Sequence, residues 1–256
     1  MVRRRPNPSD RETTQPVDII DPSRLIGRMD AEIPHPVPLL AREVRRAMGR
    51  KLRQATGRRR HAEWQADPKR RDPVAILEAQ GLQRMPELLP IRYGRMKASP
   101  LAFLRGAAAV MAGDLATTPV AGIVAQSCGG CHLTNFGSYA TPEGLPVFDI
   151  NDFDETLAAP FEWDVKRLAT SLVLSGRENG LRTRRCRRLA VNAVKAYAAE
   201  IQRLSQLSPL EAWSVRIDLL DAIDGIADRQ ARVRARAGLE ARLLSASSQY
   251  LSLIHI

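Results

Sequence analysis

Three features of the 256-residue sequence predict a helix-rich α+β fold with a small sheet carrying a site loop. Proline-marked caps recur at Asp72-Pro73, Ser99-Pro100 and Ser208-Pro209, each opening a stretch suited to a helix. Two short runs, Val120-Ala-Gly-Ile-Val-Ala and Leu145-Pro-Val-Phe with Ile150, are rich in β-branched residues and have the length of strands. Around them lies residues 127–155, SCGGCHLTNFGSYATPEGLPVFDINDFDE, holding two cysteines, a histidine, an asparagine and the acidic Asp149, Asp152, Asp154 and Glu155. Carboxylates cost several kcal/mol to bury without partners, so this mixture suits a loop between strands better than a core. Polar loops on a rigid scaffold are where chemistry gathers.

Residues 1–30 are Pro- and Arg-rich without apolar periodicity and read as a mobile basic arm. Leu39, Leu40, Val44 and Met48 predict an amphipathic helix over 38–54 with a basic outer face. Residues 58–71 read as a basic connection, and Asp72-Pro73 opens a short helix through 80. Ser99-Pro100 starts a helix to about 115, with Leu101, Leu104, Ala108 and Met111 on one stripe. The runs at 120–126 and Pro146–Ile150 are expected to pair as neighbouring strands, bringing Asn135 close to Asp152. Beyond the loop, Pro160 is read as opening a helix that offers Trp163, Leu168, Leu172 and Val173 to a core. Another helix lies within 181–207. Ser208 and Glu211, three apart, form a capping box whose helix is expected to end near Gly225, and 228–250 reads as helical and basic. The final LSLIHI has no helix-stop signal, so 251–256 is read as a non-native tail and the chain as a fragment.

Composition narrows the class. Hydrophobic content of 44% with 26% charged residues is that of a globular protein, and no apolar run approaches the roughly 20 residues of a membrane span. The expectation is a cytoplasmic protein with no membrane partner. The net charge of +11 is uneven: residues 1–105 carry 23 Lys/Arg against 12 Asp/Glu, residues 106–175 carry 2 against 8, and residues 176–256 carry 14 against 8. An acidic site between basic flanks suits a divalent cation and a phosphorylated ligand.

Three chemistries compete for the central loop. Cys128-Gly-Gly-Cys131-His132 fits the attachment pattern of c-type haem, but that site needs an apolar envelope and export, and no secretory signal is visible. Zinc would need a fourth ligand, and only the isolated Cys186, His35, His61 and His255 are left. Neither haem nor zinc is therefore expected, and the cysteines are read as small buried residues. Magnesium is the third reading: Asn135 on the loop and Asp149, Asp152 and Asp154 after it could present hard oxygen ligands from adjacent segments. Asn and Asp are also common turn residues, so spacing alone does not decide.

The stretches RYGRMKASPLAFLRGAAAVMAGDLATTPVAGIVAQSCGGCHLTNFG and FDINDFDETLAAPFEWDVKRLATSLVLSGRENGL closely resemble the bacterial domain of unknown function 2252, over roughly residues 70–215. That family is grouped with the kinase-like fold, near the aminoglycoside phosphotransferases, and its loop usually reads Cys-Gly-Asp-x-His-x-x-Asn-Phe-Gly. Cys128, Gly129, His132, Asn135, Phe136 and Gly137 match it, and Phe148 through Glu155 matches the second motif except at Ile150. The resemblance implies one kinase-like domain over 31–250, incomplete at its C-terminal end, that uses Mg²⁺ and ATP to phosphorylate a small molecule. It implies that Asn135 and Asp152 hold metal, with Asp149 and Asp154 as second choices, and that His132 orients the loop.

One departure matters. Where the family carries its loop aspartate, the base of the reaction, this chain has Gly130. Loss of a general base costs 10²–10⁴-fold, so a weak or inactive phosphotransferase is expected. No Gly-rich phosphate grip follows residue 215, where Gly225 and Gly238 stand apart. The competing reading is a nucleic-acid or polyanion binder, supported by the arginine-rich ends and opposed by an aromatic content of only 5%.

Overall fold

The computed structural model describes residues 40–254, with side chains described to residue 241. The arm expected at 1–30 lies outside the described residues, as do residues 255–256 of the expected tail. In chain order the helices are α1 Arg42–Ala55, α2 Pro73–Gly81, α3 Leu89–Lys97, α4 Pro100–Gly106, α5 Ala108–Leu115, α6 Glu162–Glu178, α7 Thr183–Leu204, α8 Pro209–Ser214, α9 Leu219–Asp224 and α10 Arg229–Ile254. The strands are β1 Val124–Ser127, β2 Phe136–Ala140, β3 Pro146–Ile150, β4 Leu157–Pro160 and β5 Ile217–Asp218. The described chain is thus α+β and helix-rich, as the sequence predicts. No helix among the described residues is long and apolar enough to cross a membrane.

The chain forms two compact units: one runs to Ser127 and includes Leu157–Trp163, and the other holds Cys128–Thr156 and everything from Asp164. In the first unit the caps act as the sequence requires. The Asp72 carboxylate accepts from the Val74 and Ala75 N–H groups at 3.3 Å, and Ser99 Oγ accepts from Ala102 at 3.1 Å. Ile76, Leu77, Met96, Ala107 and Val110 make the core, with Tyr93 donating its hydroxyl to the Leu77 carbonyl at 3.1 Å.

The single helix expected over 99–115 is two helices broken at Ala107, where the backbone turns to φ −118, ψ 42. Tertiary contact explains the break. The Arg92 guanidinium donates to the Gly106 carbonyl at 2.6 Å, and a Cβ on Gly106 would come within 2.6 Å of the Met96 side chain. The Gly106 carbonyl is thus taken by Arg92, and the close packing of Gly106 on Met96 holds the chain in the break.

The expected pairing of 120–126 with Pro146–Ile150 is wrong. β1 pairs antiparallel with β4, Val124 opposite Pro160 through Ser127 opposite Leu157. Gly122, at φ +82, interrupts the apolar run and delays the strand to Val124. Pro160 closes β4 instead of opening a helix, which begins at Glu162. A proline at a strand end loses no interior ladder bond.

In the second unit β3 lies between β2 and β5. β2 and β3 form a hairpin with Phe136 opposite Ile150 and Ala140 opposite Pro146. Its connection is tied by the Gly144 N–H to the Thr141 carbonyl at 2.8 Å, with Gly144 at φ +80. A hairpin with a five-residue connection reaches its partner at little entropic cost, which is why β3 takes the local neighbour. The Ser208–Glu211 capping box is present, but its helix stops at Ser214 rather than near Gly225. The chain there extends so that Ile217 and Asp218 pair with Phe148 and Val147, and the Asp218 carboxylate then caps α9. α6 and α7 approach closely at Gly176, where an added Cβ would sit 3.0 Å from Cys186 Sγ; Cys186 is 1% exposed.

Candidate functional site

The loop from Cys128 to Asn135 makes two tight turns before β2. The Gly130 N–H donates to the Cys128 carbonyl and the His132 N–H to the Gly130 carbonyl, each at 2.8 Å. Gly129, at φ +71, is the centre of the first turn, a γ-turn in the left-handed region. A Cβ on Gly129 would meet the Glu155 carbonyl oxygen at 1.9 Å, so only glycine fits. Gly130 is under no such constraint. Its φ is not positive, and a Cβ there would sit 3.4 Å from Asn135 Nδ2 and 3.4 Å from Glu155 Oε2.

Asn135 is the keystone of the loop. It is 3% exposed, and its Nδ2 donates to the Gly130 carbonyl at 3.1 Å, the Asp152 carbonyl at 3.0 Å and Cys128 Sγ at 3.4 Å. The Cys128 thiol also donates to the Asp152 carbonyl, at 3.7 Å. The structure therefore brings Asn135 and Asp152 together, but through the Asp152 backbone. The Asp152 carboxylate is exposed at the rim, its Oδ1 accepting from the Asp154 N–H at 2.9 Å. Asp149 is exposed on β3 opposite Gly137, its Oδ1 accepting from the Ile150 N–H at 2.8 Å. His132 is half-buried, with its Nδ1 3.1 Å from the Thr134 hydroxyl in a hydrogen bond within the loop.

A stripe on α6 holds the loop from the other side, and sequence reasoning missed it. Asp164 Oδ2 accepts from the Cys128 N–H at 2.7 Å and Oδ1 from the Gly129 N–H at 3.1 Å. Seven residues on, Ser171 Oγ accepts from the Leu133 N–H at 2.9 Å and donates to the Leu168 carbonyl at 2.7 Å. Arg167, between them and 2% exposed, faces Glu155 and Asp164. The spacing 164, 167, 171 puts all three on one helical face. That polar stripe was visible in the sequence, but the apolar residues Leu168, Leu172 and Val173 drew the reading to the core instead; the structure leaves those three half-buried.

Electrostatics follow from burial. Desolvation raises the Asp164 carboxyl above its usual range, against the pull of the two loop N–H groups and Arg167. Desolvation lowers Arg167, opposed first by Glu155. Cys131 is pushed up to about 12 by burial, then by Asp164 and Cys128, and Cys128 is raised by burial and then Asp164. Both are thiols at neutral pH, packed into the loop as small groups.

The fit to a magnesium ion rests on this donor set. Among the described residues no three His, Cys, Asp or Glu side chains gather into a closed cage. Mg²⁺ needs none, because it binds through one or two carboxylates and keeps water and phosphate oxygens as its other ligands. Asp152, with its backbone fixed by Asn135 and Cys128 and its side chain exposed, is the carboxylate this loop would offer such an ion.

Fold and loop together define a helix-rich α+β protein with a polar loop clasped by a helix and an acidic segment. The chain belongs to the family described as Uncharacterized protein conserved in bacteria (DUF2252), whose model matches residues 84–252. No curated protein and no solved structure matches the chain.

Proposed function

We propose that the loop is the site of a kinase-like phosphotransferase, which uses Mg²⁺ and ATP to phosphorylate a small molecule and works weakly because Gly130 replaces the loop aspartate. One observation carries the reading: the Asn135 amide joins the Gly130 carbonyl to the Asp152 carbonyl, so that loop and acidic segment converge. Bound there, Mg²⁺ would neutralise charge on phosphate oxygens. In this reading Asp152 presents its carboxylate to the metal, and Asn135 holds the two segments in register. Asp149 and Asp154 flank the rim, and His132 braces the turn.

The test is Gly130→Asp. A Cβ at 130 makes only ordinary contacts, though it stands 3.4 Å from Glu155 Oε2, so Tm is measured on the same samples. In the folded variant ATP turnover should rise by about 10²-fold or more while Mg²⁺ affinity changes little. Background turnover in a well-folded, Mg²⁺-binding variant would end the reading.

A second reading has its own observation. Arg45, Arg46, Arg50, Lys51 and Arg53 are exposed on α1, and Arg184, Arg185, Arg187 and Arg188 are exposed on α7, as a polyanion binder requires. That reading predicts DNA or RNA binding that weakens steeply with salt.

A further inference from the structure

We infer that α1 is an interfacial anchor, laying its apolar stripe on a membrane surface that carries anionic phospholipids. The inference stands apart from the phosphotransferase reading. Leu40, just ahead of the helix, Val44 and Met48 lie four residues apart and share one stripe. All three are about half exposed, and α1 buries none of its residues. Leu52, next on the stripe, is half-buried beside Gly122 and ties the last turn to the first unit. A 14-residue helix is marginal in water alone, and packing of its apolar face supplies most of its stability. Along Leu40, Val44 and Met48 that face is left to water.

Charge says what covers it. α1 holds six Lys and Arg against the single Glu43, and none of the six forms an ion pair with another described residue. Arg45, Arg46, Arg50 and Arg53 stand exposed off the stripe, placed to meet phosphate headgroups as the stripe sinks into the acyl boundary. Lys51, seven residues from Val44 and three from Met48, falls on the stripe itself. Its stem can run along the apolar side chains while the ammonium reaches up to the headgroups.

Other occupants fit less well. A protein groove would bury the Lys51 ammonium, and α1 brings no aromatic anchor to fill a pocket. A second copy of α1 would set like charges against each other. A nucleic acid would take the arginines and leave Val44 and Met48 in water. At about 21 Å, α1 is too short and too charged to span a bilayer, so it would lie in the interface plane. The lack of a spanning helix, which argued against a membrane partner, does not bear on a helix placed this way.

In the experiment the full chain is floated with vesicles of phosphatidylcholine holding about 30% phosphatidylserine, and with phosphatidylcholine alone. Wild type, Val44→Gln/Met48→Gln and Arg46→Gln/Arg50→Gln are compared, with Tm and DNA-duplex binding measured on the same samples. The wild type should bind the anionic vesicles at least about tenfold more tightly than the neutral ones. Each double variant should lose about tenfold or more of that binding at unchanged Tm, since all four side chains are exposed. If the glutamines at 44 and 48 lower Tm, Val44→Ala/Met48→Ala, which favours the helix, takes their place. A wild type that does not float overturns the inference. Vesicle binding that survives loss of the Val44 and Met48 side chains overturns it too, because charge alone then suffices. Duplex binding lost in Arg46→Gln/Arg50→Gln, with no vesicle binding, assigns the helix to nucleic acid and overturns it as well.

Discussion

At the scale of single residues, adjacent glycines in the loop do different work. Gly129 occupies a left-handed turn against the Glu155 carbonyl, whereas Gly130 has ordinary backbone and room for a Cβ. Gly129→Ala should therefore destabilise by more than about 2 kcal/mol in urea unfolding, while Gly130→Ala stays within about 1 kcal/mol. Equal losses at both positions would refute this local geometry. The cysteines make a second prediction, in pH. The unfolded chain releases the Cys131 proton near the ordinary thiol value of 9.0, whereas the folded chain keeps it until about 12. The stability this confers is complete below pH 9 and falls as pH rises toward 12. Between pH 8 and 11, Cys131→Ala should show a shallower fall of Tm than the wild type; parallel curves would contradict the buried-thiol account. The residues of this loop were legible in the sequence, and Asn135 and Asp152 do meet. Their mode of meeting was not, because spacing says nothing of whether a side chain or a carbonyl faces the amide.

At the scale of elements, the helix caps were legible because they are local. Asp72, Ser99 and Ser208 each bond to N–H groups two or three residues on, and short range is what sequence patterns record. Strand partners were not legible. β2, FGSYA, and β4, LAAP, are short and poor in β-branched residues, and only their partners make them strands. The break at Ala107 and the early stop of α8 also come from tertiary contacts, at Met96 and at β3. The α6 stripe is the element on which the site depends. Ser171 is 0% exposed and supplies the acceptor for the Leu133 N–H. Removing it in Ser171→Ala should cost about 1–3 kcal/mol and speed hydrogen exchange at Leu133 by a similar factor in free energy. Unchanged exchange at Leu133 would mean that α6 does not hold the loop.

At the scale of the whole molecule, the charge pattern and the fold class were legible, and the activity was not. A helix-rich α+β chain with an acidic middle and basic flanks follows from composition and periodicity. The division into two units does not, since the segment Leu157–Trp163 joins the first unit from beyond the loop in sequence. Family membership fixes the kind of domain and leaves its chemistry to the site. That chemistry turns on whether Asp152 presents a metal to nucleotide. Calorimetric titration of ATP into the wild type and Asp152→Ala, each with and without Mg²⁺, tests it most directly. The account predicts ATP binding that requires Mg²⁺ in the wild type and weakens at least about tenfold in a folded Asp152→Ala, a loss of about 1.4 kcal/mol. ATP affinity that ignores Mg²⁺, or survives Asp152→Ala undiminished, would contradict it.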